Sequence, residues 1–189
     1  NQMANVEIYR ESAMTAEDVL QADCSLAVIA TGATWRRDGV GRAHYEPIEG
    51  LAELPVFSPD DVMSGVEISG PVVVYDDDHY YMGGLMAEVL RARGLDVTLI
   101  TPAAVVSSWT EFTLEQSRIQ KGLLKMGVEI VALHDVLAAD AGTIRAQCVY
   151  SQREKLIDAA SLILVTSLWP NGTLYSDLIG RQDAWADQG

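Results

Sequence analysis

The amino-acid sequence predicts an α/β fold of three layers with a small antiparallel insert. Strand patterns alternate with helix patterns along most of the chain, which favours a parallel sheet covered by helices. The clearest example is strand Pro71–Tyr75, helix Tyr80–Arg93 and strand Leu95–Thr101, which together have the length of a βαβ unit. Three later segments predict an antiparallel meander: Leu133–Leu137, Thr143–Tyr150 and Glu154–Ile157.

The first part of the chain predicts two strands and a capped helix. Val6–Tyr9 alternates between polar and apolar residues and is typical of a short strand. Thr15, followed three residues later by Asp18, predicts the start of a helix with a capping box. Leu26–Ile29 is an unbroken apolar run, which predicts a strand covered on both faces of a parallel sheet.

Residues 34–57 contain several glycines and prolines and predict a long connection between two lobes. Ser58 and Pro59 then favour a helix start, with Ser at the N-cap and Pro at the first helical position. Gly94 is a typical stop for the helix before it. The remaining predicted elements are helix Thr113–Met126, strand Val128–Val131, strand Leu162–Val165 and helix Leu174–Asp187.

Composition narrows the classes of partner. The 189 residues are 49% hydrophobic, enough for a substantial core, and carry a formal charge of −14. This charge argues against nucleic acids and anionic membranes, which need clustered Lys and Arg. The two cysteines, Cys24 and Cys148, match no metal or redox spacing. With no apolar run of membrane-spanning length and no visible signal peptide, we expect a cytoplasmic protein.

The turn after Pro71–Tyr75 has the position of a dinucleotide-binding turn but lacks its composition. Such turns carry G-x-G-x-x-G, in which two glycines let the backbone reach the pyrophosphate and the third lets helix and strand pack closely. The alignment places Asp78, Tyr80 and Gly83 at the three glycine positions. The glycine for packing is therefore present, and both glycines on the phosphate side are replaced.

These replacements predict that the turn does not bind NAD(H) or NADP(H). The Asp78 carboxylate would repel the diphosphate, because two like unit charges about 4 Å apart repel by roughly 4 kcal/mol at an effective dielectric constant of about 20. A helix dipole returns only about 0.3–1 kcal/mol. The acid that holds the ribose in such sites is also missing, because the next strand ends in Ile100, Thr101 and Pro102.

Three interpretations of the acidic residues in this turn remain open. They could cap the helix that begins at Tyr80, as Asp does at an N-cap. Asp77 or Asp78 could instead stand where a phosphate would lie, as a built-in anion. The third interpretation is a metal site formed by the four consecutive residues Asp76–His79, although adjacent residues rarely converge on one ion.

Several segments together resemble one enzyme family. They are Val28–Trp35, Val72–Gly84, Val97–Thr101, Phe112–Glu115 and Leu162–Thr166. This set resembles the C-terminal region of the trimethylamine dehydrogenase family, which includes dimethylamine and histamine dehydrogenases and is related to the 2,4-dienoyl-CoA reductases. The string from Tyr75 to Gly84 is the most specific part of the likeness.

The resemblance implies a larger parent enzyme. Its N-terminal β/α barrel carries FMN, the substrate pocket and a 4Fe-4S cluster, and two Rossmann-type domains of the FAD/NAD(P)-binding kind follow. Residues 66–150 would be the NAD(P)-type domain, while 1–65 and 151–189 would be parts of the FAD/ADP-type domain. The parent would be a homo-oligomer that passes electrons to an electron-transferring flavoprotein, and no catalytic residue falls within this chain.

A few positions carry over from the resemblance. Thr31 and Gly32 match the motif that lies near ADP or FAD. Pro170 and Asn171 match a later motif, although Leu168 stands where an arginine usually does. Trp109 aligns with an aromatic residue that helps to dock the electron-transferring flavoprotein.

The preferred functional hypothesis is therefore a nucleotide-binding-like part of a flavin amine dehydrogenase. The alternative is the FAD- and NADPH-binding part of a 2,4-dienoyl-CoA reductase-like enzyme, which Asp78 and Tyr80 argue against. A stand-alone binding module is the third possibility. Its incomplete FAD-type flanks would leave an open sheet edge, which argues against it.

Overall fold

The computed structural model describes residues 3–22 and 24–186. They fall into two units: unit 1 comprises the described parts of residues 1–34 and 170–189, and unit 2 comprises residues 35–169. Within the described residues the strands are β1 (Ala33–Trp35), β2 (Val56–Phe57), β3 (Val72–Asp76), β4 (Val97–Thr101), β5 (Glu129–Ala132), β6 (His134–Asp140), β7 (Thr143–Cys148), β8 (Glu154–Asp158), β9 (Ser161–Val165) and β10 (Leu168–Pro170). The α-helices are α1 (Ala16–Gln21), α2 (Pro59–Ser64), α3 (Tyr81–Ala92), α4 (Gln116–Lys125), α5 (Thr173–Ile179) and α6 (Gln182–Ala186), and short 3-10 helices span Leu51–Glu53 and Ser108–Glu111.

Unit 2 is built on a parallel sheet. Its strand order is β2-β9-β3-β4-β5, and every neighbouring pair is parallel. Strands β3 and β9 are buried along their whole length, as expected for continuous apolar strands in the middle of a covered parallel sheet. The predicted mixed α/β architecture with a parallel sheet is confirmed.

Alternation along β3 shows how the two faces of this sheet are covered. Val73 and Tyr75 pack with the core that contains residues of the meander β6-β7-β8. Val72 and Val74 pack with the core that contains residues of α2, α3 and α4. The sheet therefore lies between an antiparallel layer and a helical layer, and the predicted antiparallel meander is confirmed.

The predicted helix boundaries hold where local capping sets them. Thr15 forms the expected capping box with Asp18, and Ser58 is the expected N-cap of α2, where it also forms a capping box with Asp61. Gly94, just past the end of α3, has a φ of +87°, a left-handed conformation that glycine adopts without steric cost. By contrast, the helix predicted over Thr113–Met126 begins only at Gln116, because Leu114 takes a φ of +61° and interrupts it.

Two strands predicted in the first part of the chain are wrong. Val6–Tyr9 and Leu26–Ile29 are not strands, and the side chains of Leu26 and Val28 are 78% and 82% exposed. A strand needs a neighbour for its backbone N–H and C=O groups, and no described strand pairs with either segment. The apolar run Leu26–Ile29 is hydrophobic, but it does not pair with a neighbouring strand.

The last predicted helix, Leu174–Asp187, is two helices, and Asp187 lies outside the described residues. Helix α5 ends at Ile179 with Gly180 as its C-cap, and α6 begins at Gln182. Glycine weakens a helix interior, which explains the break.

None of the helices in the described part of the chain combines the length and the apolar character that crossing a bilayer requires.

Candidate functional site at the acidic turn

The segment that joins β3 to α3 is a turn of three aspartates and a histidine, Asp76–His79, called the acidic turn below. It is tied to the neighbouring strand β9, because the backbone N–H groups of Asp77 and Asp78 both donate to the carbonyl oxygen of Val165, at 2.9 and 3.1 Å. His79 has a φ of +65°, which is unusual for a residue with a side chain. The turn is therefore a specific conformation at the carboxyl end of the sheet.

Asp76 is a fully buried carboxylate inside this turn. Its Oδ1 accepts a hydrogen bond from the backbone N–H of His79 at 3.0 Å, and its Oδ2 has no partner among the described residues. Burial raises the pKa of Asp76 from 3.8 to about 7. A Cβ at Gly83 would lie 2.2 Å from the Asp76 Cγ, so this glycine makes room for the carboxylate.

Asp77 is also fully buried and faces a different part of the chain. Its carboxylate accepts the backbone N–H of Ala43 at 2.8 Å and that of His44 at 3.5 Å. The His79 Nε2 lies 3.2 Å from the Asp77 Oδ1. A Cβ at Gly41 would lie 2.1 Å from the Asp77 Oδ2, so a second glycine makes room for a second carboxylate.

Asp78 and Tyr80, which were predicted to replace two glycines of a dinucleotide turn, contact side chains at the surface. Asp78 lies 3.7 Å from the guanidinium of Arg42, which itself stacks over the Trp109 ring at 4.2 Å from the ring centroid. The Tyr80 ring packs edge-on against Tyr81, with 4.3 Å between ring centroids, and Tyr80 is 40% exposed. Trp109, the aromatic residue predicted for docking, is 44% exposed. Arg42 covers one face of its ring.

A second polar chain ties the same region to the meander. The buried Tyr75 hydroxyl donates to Asp135 Oδ1, and the other oxygen of Asp135 lies 3.3 Å from His44 Nδ1. Burial, followed by the negative charge of Asp135, holds the pKa of Tyr75 well above its ordinary value, so the hydroxyl remains protonated. His44 and Ala43 thus connect one loop to both the acidic turn and β6.

Two of the three interpretations of the turn can be judged from this geometry. The interpretation as a helix cap is wrong, because the N-cap residue Tyr80 has no side-chain cap and Asp76 accepts instead from His79 within the turn. No group of three or more His, Cys, Asp or Glu side chains in the described part of the chain is arranged to hold a metal ion. The interpretation as a built-in anion is taken up below.

In unit 1, Thr31 and Gly32 lie beside Asn171. The Thr31 hydroxyl donates to the carbonyl oxygen of Asn171 at 2.6 Å, and the Asn171 side chain donates to the carbonyl oxygen of Thr31 at 3.0 Å. The Asn171 backbone N–H donates to Gly32 at 2.9 Å. These hydrogen bonds join two segments of unit 1.

Unit 1 also has an apolar groove of about 430 Å³. Among the described residues, neither Thr31 nor Gly32 lines it. The groove is bordered by Val19, Cys24, Leu26, Ile29, Tyr175 and Trp185.

The sequence did not single out the loop that covers the acidic turn. Residues 38–44, called the strap below, were predicted only as part of a long connection. The available signal was the pair Gly39 and Gly41, since glycines two residues apart allow close approach of the backbone. No local pattern in the sequence could show that the strap backbone approaches the carboxylate of Asp77.

Comparisons with known proteins were made over the whole chain. The profile of the family described as "OYE-like second alpha/beta domain" matches residues 57–158, which is more than half of the chain. Dimethylamine dehydrogenase of Hyphomicrobium sp. (strain x) is 29% identical over an alignment of 201 residues, covering 95% of this chain and 27% of the relative.

Two solved structures are similar over nearly the entire chain. Histamine dehydrogenase from Rhizobium sp. 4-9 has a TM-score of 0.92 and 45% identity, covering 100% of this chain and 29% of its own. The 6-hydroxypseudooxynicotine amine oxidase from Pseudomonas geniculata N1 has a TM-score of 0.90 and 35% identity, covering 96% and 27%. The chain therefore spans little more than a quarter of the length of these relatives.

Proposed function

The chain belongs to the OYE-like second α/β domain family, and from this premise we propose that it is the nucleotide-binding-like part of a longer flavin-dependent amine dehydrogenase. The observation that carries the proposal is the 45% identity to histamine dehydrogenase over the complete chain. The likeness to dimethylamine dehydrogenase supports the same class. The amine itself is not specified by these residues, because the proposed substrate pocket lies elsewhere in the parent.

In this proposal the fold is of the FAD/NAD(P)-binding Rossmann type. The parallel unit β3-α3-β4 and the meander that covers the sheet support it. The NAD(P)-type domain is residues 66–150, and 1–65 with 151–189 belong to the FAD/ADP-type domain. Residues 35–65 and 151–169, which this proposal assigns to the FAD/ADP-type domain, lie in unit 2 together with residues 66–150.

The acidic turn does not fit a dinucleotide. Two buried carboxylates, Asp76 and Asp77, lie in this turn beside Gly83 and Gly41, and Asp78 and Tyr80 stand at the positions where a pyrophosphate would need glycine. The nearest cation described above, Arg42, is engaged by Asp78 and Trp109. We therefore propose that the NAD(P)-type site is vestigial.

The remaining roles follow from the resemblance and are part of the same proposal. FMN and the 4Fe-4S cluster would lie in the rest of the parent, together with the barrel against which this chain packs. ADP or FAD would lie near Thr31 and Gly32. The surface around Trp109 would dock an electron-transferring flavoprotein, and the parent would be a homo-oligomer.

The experiment is an activity comparison on the longer protein that contains this chain. We expect an amine to reduce an artificial electron acceptor, and we expect NADH and NADPH to leave the flavin oxidised under the same conditions. Flavin reduction by NADPH without any amine-dependent activity would contradict the proposal and favour a reductase of the 2,4-dienoyl-CoA reductase type.

A further inference from the structure

The strap, residues 38–44, is held down on the acidic turn. Its Val40 carbonyl oxygen accepts the Ser167 hydroxyl at 2.6 Å, and within the strap the Gly41 N–H donates to the His44 carbonyl oxygen at 2.7 Å. At the end of the strap, the backbone N–H groups of Ala43 and His44 both donate to one carboxylate, that of Asp77. The strap is therefore fastened near its end by a side chain from another element.

The donors around Asp77 are those of an anion-binding site. Successive backbone N–H groups in a turn form a concave nest that binds phosphate and other oxyanions. Here Ala43 and His44 supply these groups, and His79 Nε2, from the acidic turn itself, lies 3.2 Å from the Asp77 Oδ1. The side chain that fills the nest is completely shielded from solvent, as a site for a bound ligand would be.

The close fit depends on Gly41. With any larger residue there, a Cβ would lie 2.1 Å from the Asp77 Oδ2, which is too short for any real contact. The strap can therefore reach the carboxylate only because this position lacks a side chain. A buried carboxylate is costly unless hydrogen bonds compensate it, and the strap provides them.

We propose that Asp77 is an internal ligand which occupies an oxyanion site and thereby locks the strap over the carboxyl end of the sheet. Removal of its carboxylate frees the strap and leaves donors that accept a small free oxyanion such as inorganic phosphate. This inference deepens the proposed loss of dinucleotide binding, and its test is independent of the parent's activity. The neighbouring carboxylates Asp76 and Asp78 oppose the free anion, so we expect binding only at millimolar phosphate.

The test is limited trypsin digestion of the 189-residue chain, with peptides quantified by mass spectrometry. Cleavage after Arg42 requires the strap to open, whereas Arg153 lies in an exposed turn between β7 and β8 and serves as an internal reference. For Asp77→Ala we expect cleavage after Arg42, relative to that after Arg153, to accelerate about tenfold. Millimolar phosphate should restore slow cleavage, and chloride at equal ionic strength should not.

Asp78→Ala is the matched control, because it removes a neighbouring carboxylate that faces Arg42 and has no contact with the strap backbone among those described. We expect phosphate to have no effect on its cleavage. The proposal is overturned if Asp77→Ala is folded and its strap is cleaved at the wild-type rate, or if phosphate does not slow the accelerated cleavage.

Asp77→Asn keeps the inference testable if Asp77→Ala fails to fold. The amide retains the shape and one acceptor oxygen, so the strap should be cleaved faster than in the wild type but should not respond to phosphate, because the nest remains filled. Unchanged cleavage in a folded Asp77→Asn protein would contradict the lock. NADH titration of the wild type separately tests the vestigial site: tight NADH binding would reject that part of the proposed function and leave the digestion result to decide the lock.

Discussion

The buried carboxylate of Asp76 should make the protein less stable as the pH rises. The pKa of this group is raised to about 7 in the folded chain, against 3.8 when it is exposed. Between these two pH values the unfolded chain releases a proton that the folded chain retains, so folding stability falls with increasing pH. Asp76→Asn removes the titration while keeping the size of the side chain, and should remove this fall.

The magnitude follows from the two pKa values. Each pKa unit corresponds to about 1.4 kcal/mol, so the interval from 3.8 to about 7 corresponds to roughly 4 kcal/mol, as an upper limit. We expect Asp76→Asn to match the wild type near about pH 4 and to exceed its free energy of unfolding by up to roughly 4 kcal/mol above about pH 7. The measurement is urea denaturation across this range, with linear extrapolation to water.

The difference between the two proteins is the informative quantity, because the other titrating groups largely cancel. Asp78→Asn is the control: its ion pair with Arg42 is partly exposed, and such pairs contribute only about 0–1 kcal/mol. We expect the difference in free energy of unfolding between that control and the wild type to stay within this range and to change little above about pH 5. A constant difference between Asp76→Asn and the wild type at every pH would refute the argument, since Asp76 would then titrate as an ordinary surface carboxyl.

Two further predictions test the space beside the turn and the surface next to it. Gly83→Ala should lose about 1–3 kcal/mol of stability, because the new Cβ would meet the Asp76 Cγ at 2.2 Å. Gly122→Ala is the control: it lies in open space on α4 and should gain up to about 1 kcal/mol. Urea denaturation of both variants, and of Gly83→Ala combined with Asp76→Ala, shows whether the clash is the cause. In the longer protein, Trp109→Ala should weaken docking of an electron-transferring flavoprotein by about tenfold or more without slowing amine-dependent reduction of a small dye. Trp169→Ala is its control, since that ring is similarly exposed and also covered by an arginine, and an equal loss in both would argue against a specific docking site.

The parts of the fold that depend on local patterns could be predicted from the sequence. The capping box at Thr15, the N-cap at Ser58 and the buried strands β3 and β9 follow from residue types a few positions apart. The segment Leu26–Ile29 could not be predicted in the same way. An apolar run fixes what a segment would bury, but its pairing depends on whether another strand lies beside it.

The candidate site shows the same limit more sharply. The sequence shows Asp78 and Tyr80 at two positions that carry glycine in a dinucleotide turn, and this directed attention to the turn. However, the residues with the closest contacts are Asp76 and Asp77, and their partners lie on the strap and on α3. Sequence reasoning assigned the strap to a connection because a backbone N–H group leaves no trace in a residue pattern.

Gly83 illustrates why a retained motif residue is weak evidence for a retained function. In a dinucleotide turn the third glycine permits close packing of helix and strand, and its presence here suggested only that this packing persists. In the structure the same absence of a side chain makes room for the Asp76 carboxylate, and Gly41 does the same for Asp77. Both glycines therefore make room for carboxylates of the protein itself. A glycine beside this turn is thus no sign that the turn binds a phosphate.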